Sequence, residues 1–106
     1  MTEQGTPTKI SFVYSNPADP DAFEAAYPDQ IALARKLPGL IRLQTSKVWA
    51  KEDGSPTPAY RLLDLYFADY AAASAAAAEA GPLVTATIEH ATGGVVIAFA
   101  EVLEDA

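Results

Sequence analysis

From Lys9 to Ser15 apolar and polar positions alternate. Ile10, Phe12 and Tyr14 fall on one side, and Val13 stands between serines on the other. A period of two predicts a half-buried strand. Asn16-Pro17 and Asp19-Pro20 break that pattern and mark a turn. Asp19 and Asp21 are both placed to cap a helix, and Pro20 suits its first turn. The spacing then changes. Phe23, Tyr27, Ile31 and Ala34 form a stripe over about 20–37, which predicts a helix. Pro28 stands inside the stripe and removes a backbone donor, so a kink or a split into two short helices is expected. Arg35 and Lys36 occupy the last turn, where cations suit the negative end of the helix dipole. Pro38-Gly39 ends the helix, because proline cannot extend it and glycine tolerates the reversal.

Leu40 to Trp49, rich in β-branched residues, and Tyr60 to Phe67 are two further strands around a polar loop at 51–58 that holds two prolines. They predict a hairpin. Asp69 caps a second helix whose body, 71–80, is almost all alanine and therefore strongly helix-forming. Gly81-Pro82 stops it, Leu83 to Ala91 forms one more short helix, Thr92-Gly93-Gly94 turns, and Val95 to Val102 is the last strand. Residues 1–8 read as a flexible N-terminal tail and 9–106 as a single domain. The order β-α-β-β-α-β predicts an α+β, ferredoxin-like domain with a four-stranded antiparallel sheet and helices on one face. Both parities of the strands carry apolar groups. Leu63, Leu65 and Phe67 alternate with Tyr60, Leu62, Asp64 and Tyr66; Val95, Ile97 and Phe99 alternate with Val96, Ala98, Ala100 and Val102. A sheet apolar on both faces needs a second cover, and the simplest cover is another copy, a homodimer.

Composition narrows the chemistry. There is no cysteine, which excludes disulfides, thiolate catalysis and Cys-based metal sites, and a single histidine is too few for a His-rich metal cluster. The net charge of −7, without a basic stripe, argues against nucleic acid and anionic membranes. No apolar run approaches a membrane span, and the first residues lack the pattern of a secretory signal, so a cytoplasmic protein is expected. Gly93-Gly94 makes no phosphate-binding motif.

Several segments, taken in order, resemble the EthD-like family of dimeric α/β-barrel proteins. They are the strand ending in Tyr14 with Asn16-Pro17, Phe23 followed by Tyr27, LARKLPGL at 33–40, DGSP at 53–56, YRLLDLYF at 60–67 and ATGGVVIAFAE at 91–101. The resemblance implies a homodimer whose sheets face each other across a cavity, with a small, largely apolar organic molecule bound or converted there, and a place in the catabolism of xenobiotics or ethers. If the protein is an enzyme, the resemblance implies a metal-independent oxidoreductase, monooxygenase-like or isomerase-like, with no cofactor; haem would have to rely on His90. A non-catalytic small-molecule binder, or a structural homodimer accessory to another enzyme, is the alternative. Family members commonly carry a histidine where this chain has Gln30. Glutamine hydrogen-bonds but does not exchange protons near neutral pH.

Candidate residues follow. Asp64, in an apolar strand, reads either as a pocket acid/base with a raised pKa or as a carboxylate tied to Arg42, Arg61 or a backbone group. Tyr66 shares its parity, and the two are assigned to polarise or orient a ligand. Tyr14 lines the cavity or packs in the core, while Gln30 and Tyr27 are expected near the cavity mouth. Tyr27 precedes Pro28 and either is aimed by a kink or staples helix to sheet. His90 is the only side chain with an ordinary pKa near neutrality and reads as a surface histidine or as a substitute proton carrier. Trp49 is a candidate interface anchor.

Overall fold

In the computed structural model, which describes residues 6–105, the expected order holds, with one extra helix as anticipated. The elements are β1 (Thr8–Tyr14), α1 (Pro20–Arg35), β2 (Arg42–Lys47), β3 (Arg61–Phe67), α2 (Tyr70–Ala78), α3 (Gly81–His90) and β4 (Val95–Glu101). One antiparallel sheet has the order β2-β3-β1-β4, the ferredoxin-like arrangement. Of the proposed tail, residues 1–5 lie outside the described residues; Thr8 is buried and opens β1.

Register decides which parity meets the helices. Tyr14 stands opposite Arg61 and Val95, Phe12 opposite Leu63 and Ile97, and Ile10 opposite Leu65 and Phe99. This set faces the helices and forms the core with Phe23, Tyr27, Ala34, Leu37, Ala73, Ala76 and Leu83. The other face carries three rows across the strands. Ser46, Leu62, Val13 and Val96 are in line, then Gln44, Asp64, Ser11 and Ala98, then Arg42, Tyr66, Lys9 and Ala100. No described element covers this face, and Val96 is 63% exposed.

Local chemistry explains the helices. The Asp19 carboxylate accepts from the Ala22 N–H and caps α1; Asp69 does the same for α2 through Ala72. Contrary to expectation, α1 runs unbroken through Pro28. Pro28 is exposed, so the carbonyl it cannot bond, that of Glu24, lies on the solvent side of the helix and α1 stays intact. Helix α1 then ends where Gly39 takes a positive φ of 77°. Gly93 is held close by the first loop: any side chain there would overlap the Asn16 carbonyl. The chain returns to β4 at the end of β1 where Tyr14 lies.

Candidate functional site

The α1 stripe buries Phe23, Tyr27, Gln30 and Ala34 against β1 and α3. Phe23, fully buried, is the hub. Its ring stacks on Tyr27 (5.3 Å) and meets Tyr14 (5.3 Å), Tyr60 (5.3 Å) and His90 (5.1 Å) edge-on. α3 runs antiparallel to α1. Its end, at His90, meets the start of α1 at Phe23, and its beginning, at Leu83, shares a cleft with Leu33 and Leu37. Between these ends lie Gln30 and Thr87, both fully buried.

The polar groups here are unusual for a core. The Gln30 amide nitrogen donates to the Tyr14 hydroxyl. The nearby Thr87 hydroxyl donates to the Leu83 carbonyl at 2.8 Å. Burial pushes the Tyr14 pKa well above its ordinary value, so the hydroxyl keeps its proton. Burial also pushes Tyr27 up to about 12, although the Arg61 guanidinium, 4.7 Å above its ring, pulls the other way. Three buried atoms have no hydrogen-bond partner among the described residues: Tyr27 Oη, Gln30 Oε1 and His90 Nε2. An unsatisfied buried polar atom costs about 1–3 kcal/mol, so three in one cluster call for an explanation.

A cavity of about 160 Å³ occupies the next layers down. Ile10, Phe12, Leu65 and Ile97 line it from the sheet, with Ala77 and Leu83 from the helices. The small side chains of α2 leave this space. Ile97 and Phe99 face the helices yet remain 41% and 42% exposed, which opens the cavity at the β4 edge. The polar cluster adjoins it. Phe12 stacks on Tyr14 (6.3 Å), and Leu83 is bonded to Thr87.

An ion pair closes the α1–β3 side. Arg61 donates to both Glu24 oxygens at 2.6 and 3.0 Å, and the Tyr60 hydroxyl donates to the same carboxylate at 2.8 Å. The hydrogen bonds from Arg61 hold the Glu24 carboxyl below its ordinary 4.5. A group whose pKa is lower folded than unfolded contributes stability above its unfolded value and loses it as pH falls through the folded one. Glu24→Gln is therefore expected to lower the urea midpoint near neutrality and to flatten the loss of stability below pH 4.5. An acid limb identical to that of the parent would contradict this role.

The structure divides the sequence candidates. Tyr14, Tyr27, Gln30 and His90 come together on the helix side. Asp64 and Tyr66 lie on the opposite face, so Tyr27 and Gln30 do not stand at the mouth of a cavity that those two line. Asp64 is tied to neither Arg42 nor Arg61. It accepts from Ser11 at 2.5 Å and pairs with Lys9 at 3.5 Å. Tyr66 donates to Gln44 at 3.2 Å and lies under Arg42. His90 is half-buried rather than a plain surface histidine. Tyr60, placed by alternation with Asp64, packs instead on Phe23, because β3 begins one residue later. Sequence reasoning missed Glu24, Arg61 and Thr87; a Thr four residues after Leu83 and three before His90, on one helical stripe, was the available signal for the last. Trp49 is 91% exposed. Among the described residues no group of acidic or histidine side chains is placed to hold a metal, and no helix is long and apolar enough to cross a membrane.

No family model matches the chain. It is 34% identical over 96 residues to an uncharacterized 11.0 kDa protein of the thcB-thcC intergenic region of Rhodococcus erythropolis, covering 88% of this chain and 92% of that protein. Among solved structures it is similar to an ethyl tert-butyl ether D (EthD) family protein from Bacillus halodurans, with a TM-score of 0.83 and 21% identity over 92% of this chain and 99% of that one. A dimeric ferredoxin-like protein of unknown function from Thermobifida fusca gives a TM-score of 0.69 and 11% identity over 96% of each chain. SnoaB, a cofactor-independent oxygenase from Streptomyces nogalater, gives 0.64 and 16% identity over 97% of each.

Proposed function

We propose that this chain, which belongs to one family with the Rhodococcus protein and shares the ferredoxin-like fold of an EthD family protein, works as a homodimer that binds or converts a small, largely apolar organic molecule. The observation that carries the reading is the apolar cavity between sheet and helices, whose walls Phe12 and Leu83 touch the buried Tyr14 and Thr87. A ligand seated there buries its apolar body against Phe12, Leu83 and Ile97. The volume suits one ring: a cavity of about 150 Å³ lined by apolar side chains accepts benzene. The site therefore sits within each protomer rather than between the two sheets.

The homodimer covers the open sheet face. A dimeric similar fold supports this, as do the apolar Leu62, Val13 and Val96 on a face that nothing else covers. Catalysis at the helix side rests on His90, since Asp64 is on the far face and Gln30 carries no exchangeable proton near neutrality. An oxygenase among the similar folds supports conversion without a cofactor. The glutamine at position 30 favours the second reading, a binder that holds its ligand for a partner enzyme. Either role fits a cytoplasmic, xenobiotic- or ether-degrading setting.

Toluene is the direct probe. Titrated into labelled protein, it is expected to shift the amide resonances of Phe12, Leu83 and Ile97 saturably, and Ala77→Leu, which fills the cavity from its exposed rim, is expected to abolish the shifts. Absence of saturable shifts in the parent protein would remove the reading.

A further inference from the structure

Phe99 lines two spaces: the 160 Å³ cavity between sheet and helices, and an outer cleft of about 540 Å³. The strand register sets them end to end. On β1, Thr8 bounds the cleft, and Ile10 and Phe12 bound the cavity. On β4, Glu101 bounds the cleft and Ile97 the cavity, with Phe99 between them. These residues share the parity that faces the helices, Thr8 opposite Glu101 and Ile10 opposite Phe99. On α2 the cleft meets Tyr70 and Ala71 at the start, and the cavity meets Ala77 near the end. Cavity and cleft are successive parts of one trough between β1, β4 and α2, and the Phe99 ring divides them. β4 is an edge strand, and Phe99 is half-exposed with its ring 5.7 Å from that of the exposed Tyr70. Turning the divider aside therefore breaks few contacts. The trough lies on the helix side, away from the face that the proposed second copy covers.

The two parts differ in chemistry. The inner walls are apolar. The outer cleft sets the Tyr70 and Phe99 rings beside two carboxylates, and no lysine or arginine lines it. Asp69 is committed to capping α2. Glu101 is exposed and makes no ion pair among the described residues. Aromatic faces beside a free carboxylate attract a cation and disfavour an anion. Resting on the ligand-binding reading above, we propose that the trough holds an arylalkyl amine. Its ring fills the inner cavity, its tail passes Phe99, and its ammonium lies in the outer cleft between Tyr70 and Glu101. The two parts stand two to three residues apart along β1, about 7–10 Å, which a four-carbon tail spans.

4-Phenylbutylamine is the probe, with toluene for the ring alone and 4-phenylbutyrate for the opposite charge at similar length. Near neutral pH the amine is expected to bind about 10-fold more tightly than toluene, because its tail also leaves water, and about 10-fold more tightly than 4-phenylbutyrate. It is expected to shift the amide resonances of Ala71 and Glu101 together with those of Phe12, Leu83 and Ile97, with one dissociation constant. Glu101→Gln is expected to weaken the amine about 3-fold, the scale of one exposed charge pair. Toluene that binds beside an amine no tighter than itself, or an amine whose shifts miss either set, overturns the spanning ligand and leaves the cavity reading standing. 4-Phenylbutyrate binding as tightly as the amine, or an amine affinity that Glu101→Gln leaves unchanged, overturns the placement of the ammonium. Saturable binding of none of the three compounds overturns both readings.

Discussion

Phe23→Ala is expected to destabilise the fold by about 3–5 kcal/mol, the range for removing a buried phenylalanine. The ring is fully buried and holds four others in place: Tyr14, Tyr27, Tyr60 and His90. Truncation removes the transfer energy of the ring and leaves a hole that these side chains can fill only by giving up their mutual geometry. A domain of this size has about 5–15 kcal/mol in total, so the variant sits near the edge of folding. Urea denaturation read by circular dichroism measures the loss, and Phe23→Leu, which keeps most of the apolar volume, is expected to lose less. The same rings flank the polar cluster, so surviving folded protein should also bind toluene weakly. A midpoint equal to that of the parent would show that Phe23 is not the hub.

If the open sheet face is the homodimer interface proposed above, Ala98→Glu is expected to give a folded monomer. Ala98 is exposed in the single chain, in the middle row of the open face, in register with Ser11 and two strands from Asp64. In the monomer a glutamate there stays in water, and exposed substitutions of this kind change stability by only about 0.5 kcal/mol. In the proposed two-fold dimer, two new carboxylates would lie between the sheets, beside the two Asp64 carboxylates of the same row. An uncompensated buried charge costs about 3–5 kcal/mol, which is roughly 100-fold or more in the dissociation constant. Light scattering coupled to size exclusion reads the mass, and circular dichroism confirms the fold. An Ala98→Glu protein that remains a dimer at the parent's dissociation constant would place the interface elsewhere.

The sequence by itself determined the elements, because their signals are local. Alternation marked β1, strand-length apolar segments marked β3 and β4, and the Asp19 and Asp69 carboxylates cap the helices they were assigned to. Pro38-Gly39 follows the end of α1 as expected, whereas Gly81-Pro82, expected to stop the second helix, forms the first turn of α3 after α2 has ended at Ala78. The two apolar sets in β3 and β4 were also legible, and so was the need for a second cover. Where a local signal depends on surroundings, it misled. Pro28 does not split α1, because its side of the helix faces solvent. The site was only half legible for the same reason. A period of two says which residues share a face, but not which face the helices choose, nor which helical residue meets it. Tyr14 and Gln30 are 16 residues apart and His90 is far beyond both; only the packing of α1 and α3 on one side of the sheet gathers them and leaves Asp64 on the other. Sequence fixes periodicity, which belongs to a single segment, whereas burial and partnership belong to pairs of segments and arise only when the chain closes on itself.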